Sequence, residues 1–191
     1  MPRSPLLTTD DWPEAELRAA VLAGELVPVG DCWASPAEPQ TPALRAAATA
    51  WSLPDARLIA CTRTAAWIWG ATSRPPTPLD ACISPTLRVH VGPSVRLREV
   101  VLADGDVVRT GGLDVTTPIR TAVDLLRSPS RPGTDFGAAE SSAVTGLLAT
   151  GTVTVDELGR RLDALGTIPM ARQAERRLRG LRGPGQPALT R

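Results

Sequence analysis

The segment VTTPIRTAVDLL, Val115 to Leu126, decides how this chain is read. Val115 and Thr116 close a run of strand composition, and Thr117 with Pro118 opens a helix. A threonine at the cap accepts a hydrogen bond from a first-turn amide, and proline at the first helical position lacks only an N–H that has no partner there. Ile119, Ala122, Val123 and Leu126 recur at helical spacing and form an apolar stripe. Arg120 and Asp124 stand at i and i+4 on one edge of that helix, a pair worth only ~0.2–0.5 kcal/mol in isolation. Arg120 can pair with Asp124 or bond carbonyls of a neighbouring loop, and both alternatives make the segment a strand-to-helix clamp before they make it chemistry.

On the N-terminal side of this segment, Val107–Arg109 and Leu113–Val115 flank Gly111-Gly112 as a hairpin. Leu87–Val91 and Val95–Leu102 have strand composition around a Gly92-Pro93 turn, and the only histidine, His90, falls inside the first as a core or edge-strand residue. Before them, Ala56–Cys61 is expected as a short strand, residues 62–69 as a helix stopped by Gly70, and residues 72–78 as a loop. Thr62 or Thr64 is placed to cap that helix, and Trp67 and Trp69 fall on different sides of it, one towards the core.

Further out, Leu17, Ala20 and Val21 predict a helix after Pro13, ended by Gly24, and Leu26–Val29 with Asp31–Ala34 predict a small wing around Gly30. SPAEPQTP is a linker or loop, after which Thr41 and Pro42 open a helix with Leu44, Ala47, Ala48 and Trp51 on one face. On the C-terminal side, Thr154 and Glu157 form a capping box for a helix carrying Val155, Leu158, Leu162 and Leu165 and stopped by Gly166. From Pro169 onward Ala171, Ala174, Leu178 and Leu181 give a last helix, whose remaining positions hold Arg172, Arg176, Arg177, Arg179 and Arg182.

The chain has 191 residues and a formal net charge of +1, with no lysine, asparagine or tyrosine. Every cation is therefore an arginine, and a lysine-dependent phosphate loop or nuclease site is excluded. Charge is unevenly spread: residues 1–60 hold 4 Arg against 8 Asp/Glu, and residues 131–191 hold 9 against 6, so the chain starts at −4 and ends at +3. Cys32, Cys61 and Cys82 have neither disulfide nor zinc spacing and read as buried free thiols in a reducing cytosol. No secretory leader or membrane span is expected, which predicts a cytoplasmic protein. No nucleophile elbow, zinc-helix motif or dinucleotide fingerprint is present, so no catalytic residue, cofactor or metal is assigned.

In order, GELVPVGDCWAS, CTRTAAWIWGA, LRVHV, GGLDVTTPIRTAVDLL, an alanine-rich helix and the T-V-D-E-L helix resemble the AbiEi-type antitoxins of type IV toxin–antitoxin systems, in the short form found among transcriptional regulators. The resemblance covers residues 6–165 and is strongest at 62–70 and 112–126. It implies that Thr117, Pro118, Arg120, Asp124, Trp67 and Gly70 are motif residues with a structural role. It also implies an α+β fold: a reduced winged-helix-like segment over residues 1–36, an α/β domain with a small mixed sheet covered by helices over 37–167, and a basic helix and tail over 168–191. The implied function is non-enzymatic regulation through operator DNA, a nucleotidyltransferase-type toxin, or both. The chain departs from the pattern at its N-terminus, where some 25 residues precede the wing and Asp10, Asp11, Glu14 and Glu16 oppose Arg18 alone. Such a helix repels phosphates. Arg172, Arg176, Arg177, Arg179 and Arg182 are then the residues placed to meet DNA or an acidic partner. The alternatives are a protein-interaction module without DNA binding, a solitary relic of such a regulator, and an enzyme of unrecognised type.

Overall fold

The computed structural model describes residues 5–129, 136–166 and 170–181. It is an α+β arrangement of eight strands and seven helices among those residues. The N-terminal part is a three-stranded antiparallel sheet, β1 (Leu6–Leu7), β2 (Val27–Val29) and β3 (Cys32–Ala34), in the order β1-β3-β2, with α1 (Glu14–Leu22) between β1 and β2. The expected wing around Gly30 is the β2–β3 hairpin. Of the apolar positions expected on α1, only Leu17 is buried.

The second sheet has five strands in the order β6-β5-β4-β8-β7. Its members are β4 (Ile59–Ala60), β5 (Leu79–Ile83), β6 (Val95–Glu99), β7 (Val107–Thr110) and β8 (Leu113–Thr116). β5–β6 and β4–β8 are parallel, and β4–β5 and β7–β8 antiparallel. The Gly111-Gly112 hairpin forms as expected, with Thr110 opposite Leu113.

Leu87–Val91 is not a strand. Strand β6 lies parallel to β5, and parallel neighbours cannot be joined by a tight turn. The residues between them, including LRVHV, carry the chain back across the sheet, and His90 is exposed in that connection. Strand β5 itself is not expected from the sequence, because Asp80 interrupts its apolar run.

α2 (Pro42–Ser52) is capped by Thr41, whose hydroxyl accepts from Leu44 N–H, and buries Leu44, Ala46, Ala48 and Thr49. Trp51, expected on the buried face, is 40% exposed and donates its Nε1–H to Asp10 at 3.1 Å, which ties α2 to the N-terminal sheet. α3 (Thr62–Ile68) follows β4, and Gly70 ends it at φ +85°.

Two cores result. The first joins both sheets: Leu6, Val29, Cys32 and Ala34 pack in one cluster with Leu44, Trp67, Ile68, Ile83 and Val115. The second is helical, with α4 (Pro118–Leu126), α5 (Ala138–Ala149), α6 (Val155–Leu165) and α7 (Ala171–Leu181) contributing Val123, Leu126, Leu147, Leu158, Leu162 and Leu178. The capping box forms, with Thr154 and Glu157 each bonding the other's backbone N–H.

The turn of the β7–β8 hairpin lies against the start of α2. A Cβ built on Gly111, whose φ is +54°, would overlap the Ala43 carbonyl and approach Ala47 N to 2.8 Å. Its neighbour Gly112 has φ +81° but nothing within 4 Å. Gly111→Ala is expected to cost about 1–3 kcal/mol through strain and displacement of α2. Gly112→Ala carries the strain alone, so the urea midpoints should fall further for the first.

All three cysteines are buried and free. Burial, reinforced by the negative charges of Asp31 and Asp11, pushes the Cys32 thiol up to about 12. The hydrogen bond with Cys82, together with burial, pushes Cys61 well above the ordinary thiol range. Attack on a disulfide reagent needs an exposed thiolate. Native protein at pH 8 should therefore leave a coloured thiol reagent unreacted on the minute scale, and denaturant should release all three thiols.

Candidate interaction site

The 115–126 segment builds a junction. Thr117 caps α4 by accepting from Arg120 N–H, and Pro118 occupies the first helical position. The Thr116 and Thr121 hydroxyls meet at 2.7 Å, and Thr121 also donates to the Thr116 carbonyl at 3.1 Å. That carbonyl accepts the Trp69 Nε1–H at 2.9 Å, so the end of α3 is fastened to the end of β8. Trp67, by contrast, is core, with the Arg45 guanidinium over its ring at 5.5 Å.

Arg120 pairs with Asp124 at 2.8 Å, as its spacing suggests, and with Asp106 at 2.5 Å. Asp106 is buried just before β7 and also receives Arg161 of α6 at 2.8 Å and the Ala103 N–H at 3.0 Å. One carboxylate thus holds the edge hairpin to two helices of the other core. Burial alone would raise Asp106, but the Ala103 N–H, the Arg120 hydrogen bond and the charges of Arg120 and Arg161 outweigh it and hold the carboxyl below the ordinary range. Asp124 goes the other way, since burial raises it by more than Arg120 lowers it.

Asp106→Ala leaves Arg120 with Asp124 as its remaining carboxylate and leaves the Ala103 N–H without its acceptor, and is expected to cost about 1–3 kcal/mol. A depressed folded pKa contributes stability that is present above the unfolded value and lost as pH falls through the folded one. Asp106 therefore loses its contribution below about pH 4, whereas protonation of Asp124 is favoured by the fold. Asp106→Asn should lower stability at neutral pH and flatten its fall in acid, as read by urea titrations across that range.

A second polar cluster had no signal in the sequence beyond two threonines flanking an arginine. Buried Asp80 on β5 accepts from the Thr62 hydroxyl at 3.0 Å, from Arg63 Nε at 3.0 Å and from Arg96 at 3.3 Å. The Asp80 N–H in turn donates to the Thr64 hydroxyl at 2.7 Å. Thr62 and Thr64 are therefore not helix caps: the cap residue of α3 is Cys61, without a side-chain bond, and both hydroxyls clasp Asp80 instead. Thr62 is held at φ +43°, a strained conformation for a β-branched residue.

The arginines of α7 divide. Arg172, Arg176 and Arg179 are exposed, and their i, i+4, i+7 spacing puts them in one stripe. Arg177 does not belong with them. It is 7% exposed, donates to the Leu126 and Ser128 carbonyls at 2.6 and 2.7 Å, and stacks over the Phe136 ring at 4.6 Å. Its place was readable: three residues after Ala174 and four before Leu181, it falls on the apolar face, where an arginine can supply the last carbonyls of α4 with donors. Arg182 lies outside the described residues. A cleft of about 300 Å³ runs beside the stripe, lined by Phe136, Ser141, Gln173, Arg176 and Arg177.

Among the described residues no group of three His, Cys, Asp or Glu side chains could hold a metal ion, and no helix is long and apolar enough to cross a membrane. Among the described residues no nucleophile or carboxylate is bonded to His90.

Comparison with known proteins adds the following. The family model of the AbiEi antitoxin C-terminal domain matches residues 58–175, a span that begins before β4 and ends inside α7. Among solved structures, the chain is similar to the RV2827C protein from Mycobacterium tuberculosis at 19% identity and a TM-score of 0.47, over 92% of this chain and 72% of that one. No curated protein matches the chain.

Proposed function

Because the chain belongs to the AbiEi antitoxin C-terminal domain family, a family of antitoxin and regulatory proteins, we propose that it is a regulator that contacts duplex DNA of its own operator through the α7 stripe. The observation that supports this is the exposed row Arg172, Arg176 and Arg179, three guanidiniums on one helix face while Arg177 is turned inward. Guanidiniums bind phosphate oxygens in bidentate fashion and keep their charge at any physiological pH. α1 does not share that task, because its one cation, Arg18, is paired with Glu14 at 2.6 Å and its surroundings are acidic. In this proposal the protein works in the cytoplasm, the Asp106 and Asp80 clusters are structural, and the antitoxin role is exercised against a nucleotidyltransferase-type toxin.

A second reading, protein binding without DNA, is favoured by the acidic α1 and the exposed Trp12 and Trp51. The two are separated by salt. If the stripe binds duplex DNA, log K falls with log[salt] by about 0.9 per phosphate neutralised, and Arg172→Ala with Arg176→Ala removes about two units of slope. Fluorescence anisotropy on promoter DNA at several salt concentrations measures it. An unchanged slope removes the stripe from the interface, and no binding at low salt leaves the protein-only reading.

A further inference from the structure

Two exposed apolar surfaces among the described residues lie beside opposite charges. Beside α1 a cleft of about 370 Å³ is lined by Leu7, Trp12, Leu17 and Leu26, with Glu16 and Glu25 on its rim. Trp12 is 52% exposed and Leu22 is 90% exposed. Glu14 is occupied by Arg18, but among the described residues neither Glu16 nor Glu25 is in an ion pair. An open indole next to uncompensated carboxylates suits a cationic surface with an apolar tip. Just before α7, Met170 is 40% exposed and lines one cleft with Arg172 and Arg176 of that helix, together with Glu175. A thioether packs favourably against an aromatic ring.

The two surfaces hang from different cores. β1 and β2, which flank α1, contribute Leu6 and Val29 to the first, and α7 contributes Ala174 and Leu178 to the second. No ion pair joins α1 to α7 among the described residues.

We propose that the α1 cleft receives the α7 stripe of a second copy of this chain, with Met170 against Trp12 and Arg172 and Arg176 against Glu16 and Glu25. The contact is head-to-tail. Each pair therefore keeps one free cleft and one free stripe, and association adds copies until a ring closes. It does not rest on DNA binding, although DNA on the stripe would exclude it.

Sedimentation velocity of the full chain, from about 2 to about 200 µM in about 50 and about 500 mM NaCl, tests it across the range in which exposed charges become screened. The mean mass should at least double with concentration at low salt and return to one copy at high salt. Glu16→Gln with Glu25→Gln, and Arg172→Gln with Arg176→Gln, should each stay single while keeping the wild-type circular dichroism spectrum. An equimolar mixture of the two variants should give a species of two copies and nothing larger, because one intact cleft and one intact stripe remain. A single copy under all conditions overturns the proposal. So does association that ignores salt or the substitutions, and so does a mixture that fails to pair.

Discussion

The arrangement depends most on a single carboxylate. Asp106 precedes an edge hairpin, an element that neighbouring strands hold on one side only, and it receives guanidiniums from α4 and from α6, the latter 55 residues away in sequence. The hairpin's own pairing is local and would form wherever the Gly111-Gly112 turn forms. What it lacks is a position relative to the helical core, and Asp106 supplies that position by being the shared acceptor. Buried charges are stable only when paired and hydrogen-bonded, so the geometry of the three groups is restrictive. With Trp69 bonded to the Thr116 carbonyl on the neighbouring strand, the ends of β7 and β8 are fixed from both cores.

Much of this was legible because the local signals agree with the global fold. The caps at Thr41, Thr117 and Thr154, the stop at Gly70 and the paired glycines of the hairpin each state their role within a few residues. Arg120 and Asp124 announce their pairing by spacing alone. What could not be read depends on residues far apart in sequence. Nothing around Asp106 indicates that Arg120 and Arg161 will converge on it, and nothing around Asp80 indicates Thr62, Arg63 and Arg96. Strand β5 was hidden by its own buried aspartate, and residues 87–91 have strand composition but serve as a crossover, since the parallel placement of β6 is decided by the sheet as a whole. Of the candidate site, the basic helix was visible and its inward arginine was misplaced, although helical spacing alone puts Arg177 beside Ala174 and Leu181.

Arginine therefore does two kinds of work. Arg120, Arg161, Arg63 and Arg177 face inward and supply donors to carboxylates or to the carbonyls at a helix end, where a planar fork with five N–H groups is suited to more than one acceptor. Arg172, Arg176 and Arg179 form the outward stripe, and of these three only Arg179 has a donor engaged among the described residues, on the Glu175 carbonyl of its own helix. The same division holds for the carboxylates, with Asp80 and Asp106 inside and Glu16 and Glu25 at an open cleft. Function is to be sought in the members of each class that the fold leaves uncommitted.

All 21 permanently cationic side chains are arginine, and there is neither lysine nor tyrosine in the chain. An ordinary protein sheds ammonium charge and gains phenolate charge near pH 10. Here no side chain of either kind exists, the guanidinium ties stay charged, and the Cys32 and Cys61 thiols are displaced upward. Across the range around pH 10 where lysine and tyrosine would titrate, the folded molecule thus has no side chain of either kind to change its charge.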